Sequence, residues 1–315
     1  MNTILQKILA TKLVQTPLNV SKRVVIPGFD GLPIYDVIAF FIEGVQKNSL
    51  TTRASSLAFR FFLAIFPSII FLFSLVPFIP IDDFKIQLFE LIKGSLPHDA
   101  YEMVSSTIED LMYNRDGSLL SFGFLFAFYL ASNGVNSMII AFNETSHAVK
   151  KASFIETRLR SLLILFIIIF LMIIAIGLIV FSTPLIHYLT SHNYINGYAI
   201  YILKAVKALI LLAVFFTGIS AIYYFGNTKK LKFRFVSAGS TLATLLSILL
   251  SSGFAFYINN FGTYNKVYGS IGTLMVIMLW LYFNSLILLL GFELNASISH
   301  AKDEKKISLI NSIWD

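Results

Sequence analysis

The chain has 315 residues, of which 57% are hydrophobic and 13% charged, with a mean hydropathy of +0.78. Soluble domains carry about a quarter charged residues, so this composition excludes a self-contained water-soluble protein and points to a polytopic membrane protein. The absence of cysteine excludes disulfides, thiolate catalysis and cysteine-bound zinc, and the net charge of +7 must be read through its distribution before nucleic acid is invoked.

Residues 1–52 read as a cytoplasmic or interfacial N-terminal segment. The opening "MNTILQKILATKLVQTPLNVSKR" has no unbroken apolar core ending at a small-residue cleavage site, so it is expected to stay attached. Within the segment, Ile34, Val37, Ile38, Phe41, Ile42 and Val45 recur at helical spacing and predict a short amphipathic helix on the membrane surface.

Residues 53–300 read as an all-α domain of six transmembrane helices, at about 56–80, 119–142, 161–188, 199–225, 235–258 and 271–298, because each apolar run reaches the ~20 residues a bilayer needs. The first span begins with "RASSLAFRFFLAIFP", in which Arg53 and Arg60 share a helical face. Such cations either snorkel to lipid phosphates or hold an anionic head group at the mouth of a cavity. Residues 81–118 carry eight acids against three bases and predict an extracytoplasmic cap with one or two short amphipathic helices. In the second span, Asn133, Asn136 and Asn143 place amides on a face that must look into the bundle, either as interhelical glue or as a polar cavity wall. Asn143, Glu144 and His147 superficially resemble a ligand cluster, but one histidine does not make a metal site, and none is expected.

Lys204 and Lys207 open the fourth span, where they either snorkel or put a second pair of cations on the path of an anion. The fifth span carries Ser237, Ser240, Thr241, Thr244, Ser247 and Ser251, a small-residue stripe that predicts close helix packing. Glu293, near the inner end of the sixth span, either pairs with a base such as Arg60 or couples a proton. Residues 301–315 read as a cytoplasmic tail. No nucleophile–histidine–acid set or Walker A motif is present, so no enzymatic activity, catalytic residue or cofactor is expected.

Lys and Arg fix the orientation. The stretch to Arg53 has six, the 143–160 and 226–234 connections four each, and the tail three; the intervening connections hold three, none and one. This alternation places both termini in the cytoplasm and also explains the net positive charge without nucleic acid.

The run "YGSIGTLMVIMLWLYFNSLILLLGFELNA" (Tyr268 to Ala296) resembles the C-terminal signature of the YihY/BrkB family of bacterial inner-membrane proteins. "RASSLAFRFFLAIFPSIIFLFSLVPFIP" (Arg53 to Pro80) is similar to its first-span signature, and "SNGVNSMIIAFNETSH" (Ser132 to His147) occupies the place of its second-span motif. The resemblance covers roughly residues 35–300 and implies a six-helix protein of the bacterial inner (plasma) membrane. A legacy label of that family, ribonuclease BN, lacks the clustered metal-binding carboxylates or histidines a nuclease needs here.

Together these readings predict a transporter or flippase for an anionic, amphipathic substrate such as a lipid or envelope precursor. The substrate-binding candidates are Arg53, Arg60, Asn133, Asn136, Asn143, Lys204, Lys207 and Glu293, with membrane lipids as the surrounding partner and homo-oligomerisation left open. The alternative is a non-transporting envelope scaffold that binds partners through its acidic cap or cytoplasmic ends. Reporters fused to the two ends are expected to show both in the cytoplasm; ends on opposite sides would refute an even number of spans.

Overall fold

The computed structural model describes residues 24–25, 28–47, 49–75, 105–106, 109, 117–144, 153–192, 197–228, 234–260 and 270–314. Among them, seven long helices account for nearly all of the chain: α1 (Ile34–Lys47), α2 (Leu50–Leu75), α3 (Gly117–Asn143), α4 (Phe154–Ser191), α5 (Gly197–Gly226), α6 (Ala238–Asn260) and α7 (Ser270–Trp314). No strand forms among the described residues beyond an isolated antiparallel bridge between Val25 and Pro33.

Five of these helices contain stretches long and apolar enough to cross a membrane: Ser121–Asn143, Phe154–Ser191, Gly197–Gly226, Ala238–Tyr257 and Leu274–Glu304. They coincide with the predicted second to sixth spans. α2 covers the predicted first span as far as Leu75, while 76–80 and nearly all of the predicted acidic cap fall outside the described residues.

Two helices run well past the expected boundaries. α4 is 38 residues long, starting at an N-cap in which the Ser153 side chain accepts a hydrogen bond from the Glu156 amide. α7 is 45 residues long because "HAKDEKK" after the apolar run contains good helix formers and neither Gly nor Pro. At 1.5 Å per residue α7 spans roughly 68 Å, more than twice the thickness of a hydrocarbon core, so part of it lies outside one.

The chain divides into two compact units. The first contains the described residues of Met1–Arg53, Met138–Ser251 and Leu286–Asp315; the second contains those of Ala54–Ser137 and Ser252–Ser285. In the second unit α2 and α3 pack closely. A Cβ at Gly134 would lie 3.1 Å from the Phe61 ring, and Ala58, Ala64 and Ala127 are buried.

In the first unit α4 packs along α5, and α6 crosses α7 with their backbones in contact. A methyl group on Gly239 would fall on the Gly291 carbonyl oxygen, and one on Gly291 would lie 2.7 Å from the Gly239 oxygen and 2.9 Å from the Ala243 Cβ. Gly239 and Ala243 form this seam; of the predicted small-residue stripe Ser240, Thr244 and Ser247 are buried, whereas Thr241 and Ser251 are exposed. Small residues serve here because lipid offers no hydrophobic drive between helices, and packing must come from close backbone approach.

The N-terminal part of the first unit is a docked cap. Gly28, Asp30 and Gly31, all at positive φ, turn the chain into α1. Leu32 and Val37 then pack with Ile298 and Ala301 of α7, against Phe29, Phe40, Ala238 and Leu294. The predicted apolar face of α1 is therefore split: Val37 enters this core, while Ile38 and Ile42 are exposed. Replacing Gly239 or Gly291 with Ala is expected to cost roughly 1–3 kcal/mol through overpacking at the α6–α7 seam. Thermal unfolding in detergent checks this; two unchanged midpoints would mean the helices do not cross at these glycines.

Candidate functional site

Several helix ends in the first unit are joined by side chains that bond each other's backbone. The last carbonyls of a helix have no internal partners and cannot be left facing lipid. At the end of α5, Asn143 donates its amide to the Gly226 carbonyl at 3.0 Å and to Ile139 on its own helix at 2.6 Å, and its Oδ1 accepts from the Thr228 amide at 3.2 Å. Arg160 of α4 reaches the same place and donates to the carbonyls of Phe225 (3.0 Å) and Asn227 (3.2 Å), while Glu156 accepts from its other nitrogens. A cation at a helix C-terminus is also favoured by the helix dipole.

The start of α6 is held in the complementary sense. Asn295 of α7 accepts from the Gly239 amide at 2.8 Å and donates to the Ser237 hydroxyl at 2.9 Å. Beside these caps lies an aromatic cluster. Phe142 and Phe292 stack at 4.4 Å with 5° between their planes, Tyr223 meets both edge-on, and the Tyr223 hydroxyl donates to the Leu288 carbonyl at 2.9 Å.

Arg53, at the start of α2, is buried in the same unit. Its Nη1 donates to the Ala141 carbonyl in the last turn of α3 at 2.5 Å. Its Nε and Nη2, the side-on fork of the guanidinium, are buried with no hydrogen-bond partner among the described residues. The carboxylates whose charge Arg53 feels are Glu293 and Glu144. Glu293 is 1% exposed, and α1 lies directly on it: a Cβ at Gly44 would occupy the position of the Glu293 carboxylate. This glycine is required for space, since its absent side chain makes room for the acid.

Arg53, Asn143, Lys204, Lys207 and Glu293 therefore belong to the first unit, and Arg60, Asn133 and Asn136 to the second. Arg53 and Glu293 are brought within electrostatic reach, and Asn143 lies two residues beyond the carbonyl that Arg53 binds. Lys204 is exposed and Lys207 half-buried near the start of α5, on the order of 30 Å along the helix from the end that Asn143 caps. In the second unit Arg60 is exposed, Asn133 is half-buried and its carbonyl accepts from Ser137, and the Asn136 Oδ1 is buried without a hydrogen-bond partner among the described residues. Among the described residues no three His, Cys, Asp or Glu side chains are grouped as a metal site would require.

Sequence reasoning did not identify Arg160, Tyr223, Asn295 or Gly44 as constituents. Arg160 read as one of the positive-inside charges, and a glycine carries no sign of what packs on it. Asn143→Ala removes three hydrogen bonds and is expected to destabilise the protein by roughly 1–3 kcal/mol and to speed amide exchange at 225–228, whereas Asn133→Ala has little effect on either. Unchanged exchange in Asn143→Ala would show that the amide does not hold the end of α5.

The model of the family described as Virulence factor BrkB matches residues 41–309. The ribonuclease-like protein YfkH of Bacillus subtilis is 33% identical over 258 residues, covering 80% of this chain and 90% of that protein. UPF0761 membrane proteins of Alteromonas mediterranea and Aggregatibacter aphrophilus are 24% and 26% identical, covering 86% and 85% of this chain and 90% and 94% of those proteins. No solved structure matches. With the match extending from α1 into the charged end of α7, the chain belongs to the Virulence factor BrkB family of integral membrane proteins.

Proposed function

We propose that the protein is a transporter or flippase for an anionic, amphipathic molecule of the lipid or envelope-precursor class, with Arg53 as its principal anion-holding residue. The observation that carries this reading is the buried guanidinium fork. Nε and Nη2 of Arg53 present two parallel donors, the geometry that grips a carboxylate or phosphate through two oxygens. Burying a cation beside lipid is costly, and a membrane protein retains one where it faces a partner, water or a substrate path. Glu293 supplies the opposing charge in the same unit and is suited to balancing Arg53 when no anion is bound.

On this reading Lys204 and Lys207, near the start of α5 in the unit that holds Arg53, attract the head group before or after it binds, and Arg60, exposed on α2, is a cation of the other unit. Asn143 holds the helix ends that position Arg53, and Asn133 and Asn136 offer amides along α3. The chain crosses the bacterial inner membrane six times, α2 included, with both ends in the cytoplasm, as the positive-charge distribution requires. The ribonuclease-like name of YfkH belongs to that protein.

Purified protein in liposomes, assayed for movement of fluorescent anionic lipids, tests the proposal. Arg53→Gln is expected to lower transport roughly ten- to hundredfold, the equivalent of one lost charge-assisted interaction of ~1.5–3 kcal/mol. Arg53→Lys should retain part of it, and Arg60→Gln should lose less than Arg53→Gln. Wild-type protein that moves none of several anionic lipids would sink the transport reading and leave the scaffold.

A further inference from the structure

We infer that α1 is a hinged lid over the Arg53–Glu293 site, latched shut by Asp30, so that access to the site from the α1 side is gated by a charge clasp. The inference rests on the reading of Arg53 and Glu293 as the anion site, and it adds how that site is covered.

Three independent observations support it. The first is contact. The backbone of α1 at Gly44 occupies the space immediately over the Glu293 carboxylate, so nothing reaches that acid along this approach while α1 is docked.

The second is the placement of the backbone's least favourable conformations. Among the described residues only Asp30 (φ 53°) and Ser49 (φ 46°) are non-glycine residues at positive φ, and they bracket α1, one before its start at Ile34 and one between its end at Lys47 and the start of α2 at Leu50. Gly28 and Gly31 adjoin the first of them, at φ 99° and 81°. Left-handed backbone is tolerated by Asp but less readily by Ser, and such conformations gather where a segment switches between arrangements. A rigid helix between two such points has the construction of a lid with a hinge at each end.

The third is the fastening. Asp30 is 13% exposed at its side chain and bonds two cations from different parts of the chain: Lys302 of α7 at 2.9 Å and Arg234, just before α6, at 3.3 Å. Those cations are themselves 52% and 70% exposed, so the clasp is open to screening by salt, unlike the packing of Leu32 and Val37 beneath it. The apolar anchor buries Ile298 and Ala301 of α7, with Phe29, Phe40, Ala238 and Leu294 packed around it, and the Phe40 ring meets His300 at 5.4 Å. The two ion pairs are the screenable part of what holds α1 in place, so weakening them favours its release.

The natural absence of cysteine provides a direct test. Ala301→Cys places a single thiol beneath the lid, at a position that is 4% exposed when α1 is docked. Its rate of labelling by a polar maleimide in detergent is expected to rise about three- to tenfold when Asp30→Asn is added, the factor for losing weak surface ion pairs. High salt should accelerate labelling in the Asp30 protein but not in Asp30→Asn. Equal rates with and without Asp30, or identical salt responses, would overturn the latch. A single thiol at Ser161→Cys in α4, also buried, should label at one rate in both backgrounds; a parallel rise there would indicate general loosening and would likewise refute the lid. None of these readouts requires transport, so a failed liposome assay with accelerated labelling at position 301 would discard the anion-transport reading and keep the lid, while active transport with unchanged labelling would do the reverse.

Discussion

The organising constraint is that the last carbonyls of a helix have no partners within the helix and must find them elsewhere, here in side chains of neighbouring helices. Asn143 and Arg160, from two other helices, meet at the end of α5, and Asn295 of α7 performs the converse task by accepting from the Gly239 amide in the first turn of α6. Each of these polar residues also fixes the level of its helix against a neighbour. The apolar packing follows the same register: Phe142 precedes Asn143, Tyr223 lies three residues before Gly226, and Phe292 three before Asn295. The aromatic cluster stacks well because the caps have already set the heights of the helices that carry it.

Glycine acts on the other side of this constraint. At Gly239 and Gly291 two backbones touch, and at Gly44 a backbone rests on a carboxylate. Close approach gives dispersion contact over the whole crossing, which in lipid replaces the hydrophobic drive available to a soluble core. It also leaves no space for repacking, so a single methyl group at the α6–α7 crossing would have to move a main-chain oxygen.

Much of this architecture was legible in the sequence, and the reason is physical. A bilayer selects on length and hydropathy, so the spans of α3 to α7 follow from composition alone, as does the packing role of Ser240, Thr244 and Ser247. The ends were less legible. Beyond Ser299 the chain turns polar, a change that marks the membrane boundary but says nothing about where a helix stops, and α7 continues to Trp314. Long-range pairings were not legible at all. Asp30 and Lys302 are 272 residues apart, and only the folded chain shows that they meet. Asn143 illustrates an intermediate case: its amide had to face the interior, but whether it lined a cavity or capped a helix depended on Gly226 and Thr228 being within reach.

Two arginines perform the same local task in different surroundings. Arg160 binds carbonyls at the end of α5, and every one of its nitrogens is engaged, by Phe225 and Asn227 on one side and Glu156 on the other. Its side chain is 34% exposed, so even an imperfect bond would be made good by water. Arg53 binds the Ala141 carbonyl in the last turn of α3, yet only Nη1 is used, and the remaining donors are buried. If capping were its whole purpose, lysine or asparagine would do it with fewer donors to satisfy. Interior donors left open are expensive, and each costs more in low dielectric than on the surface. A charge kept under those conditions, near an acid buried beneath a glycine, is the feature on which the proposed anion site rests.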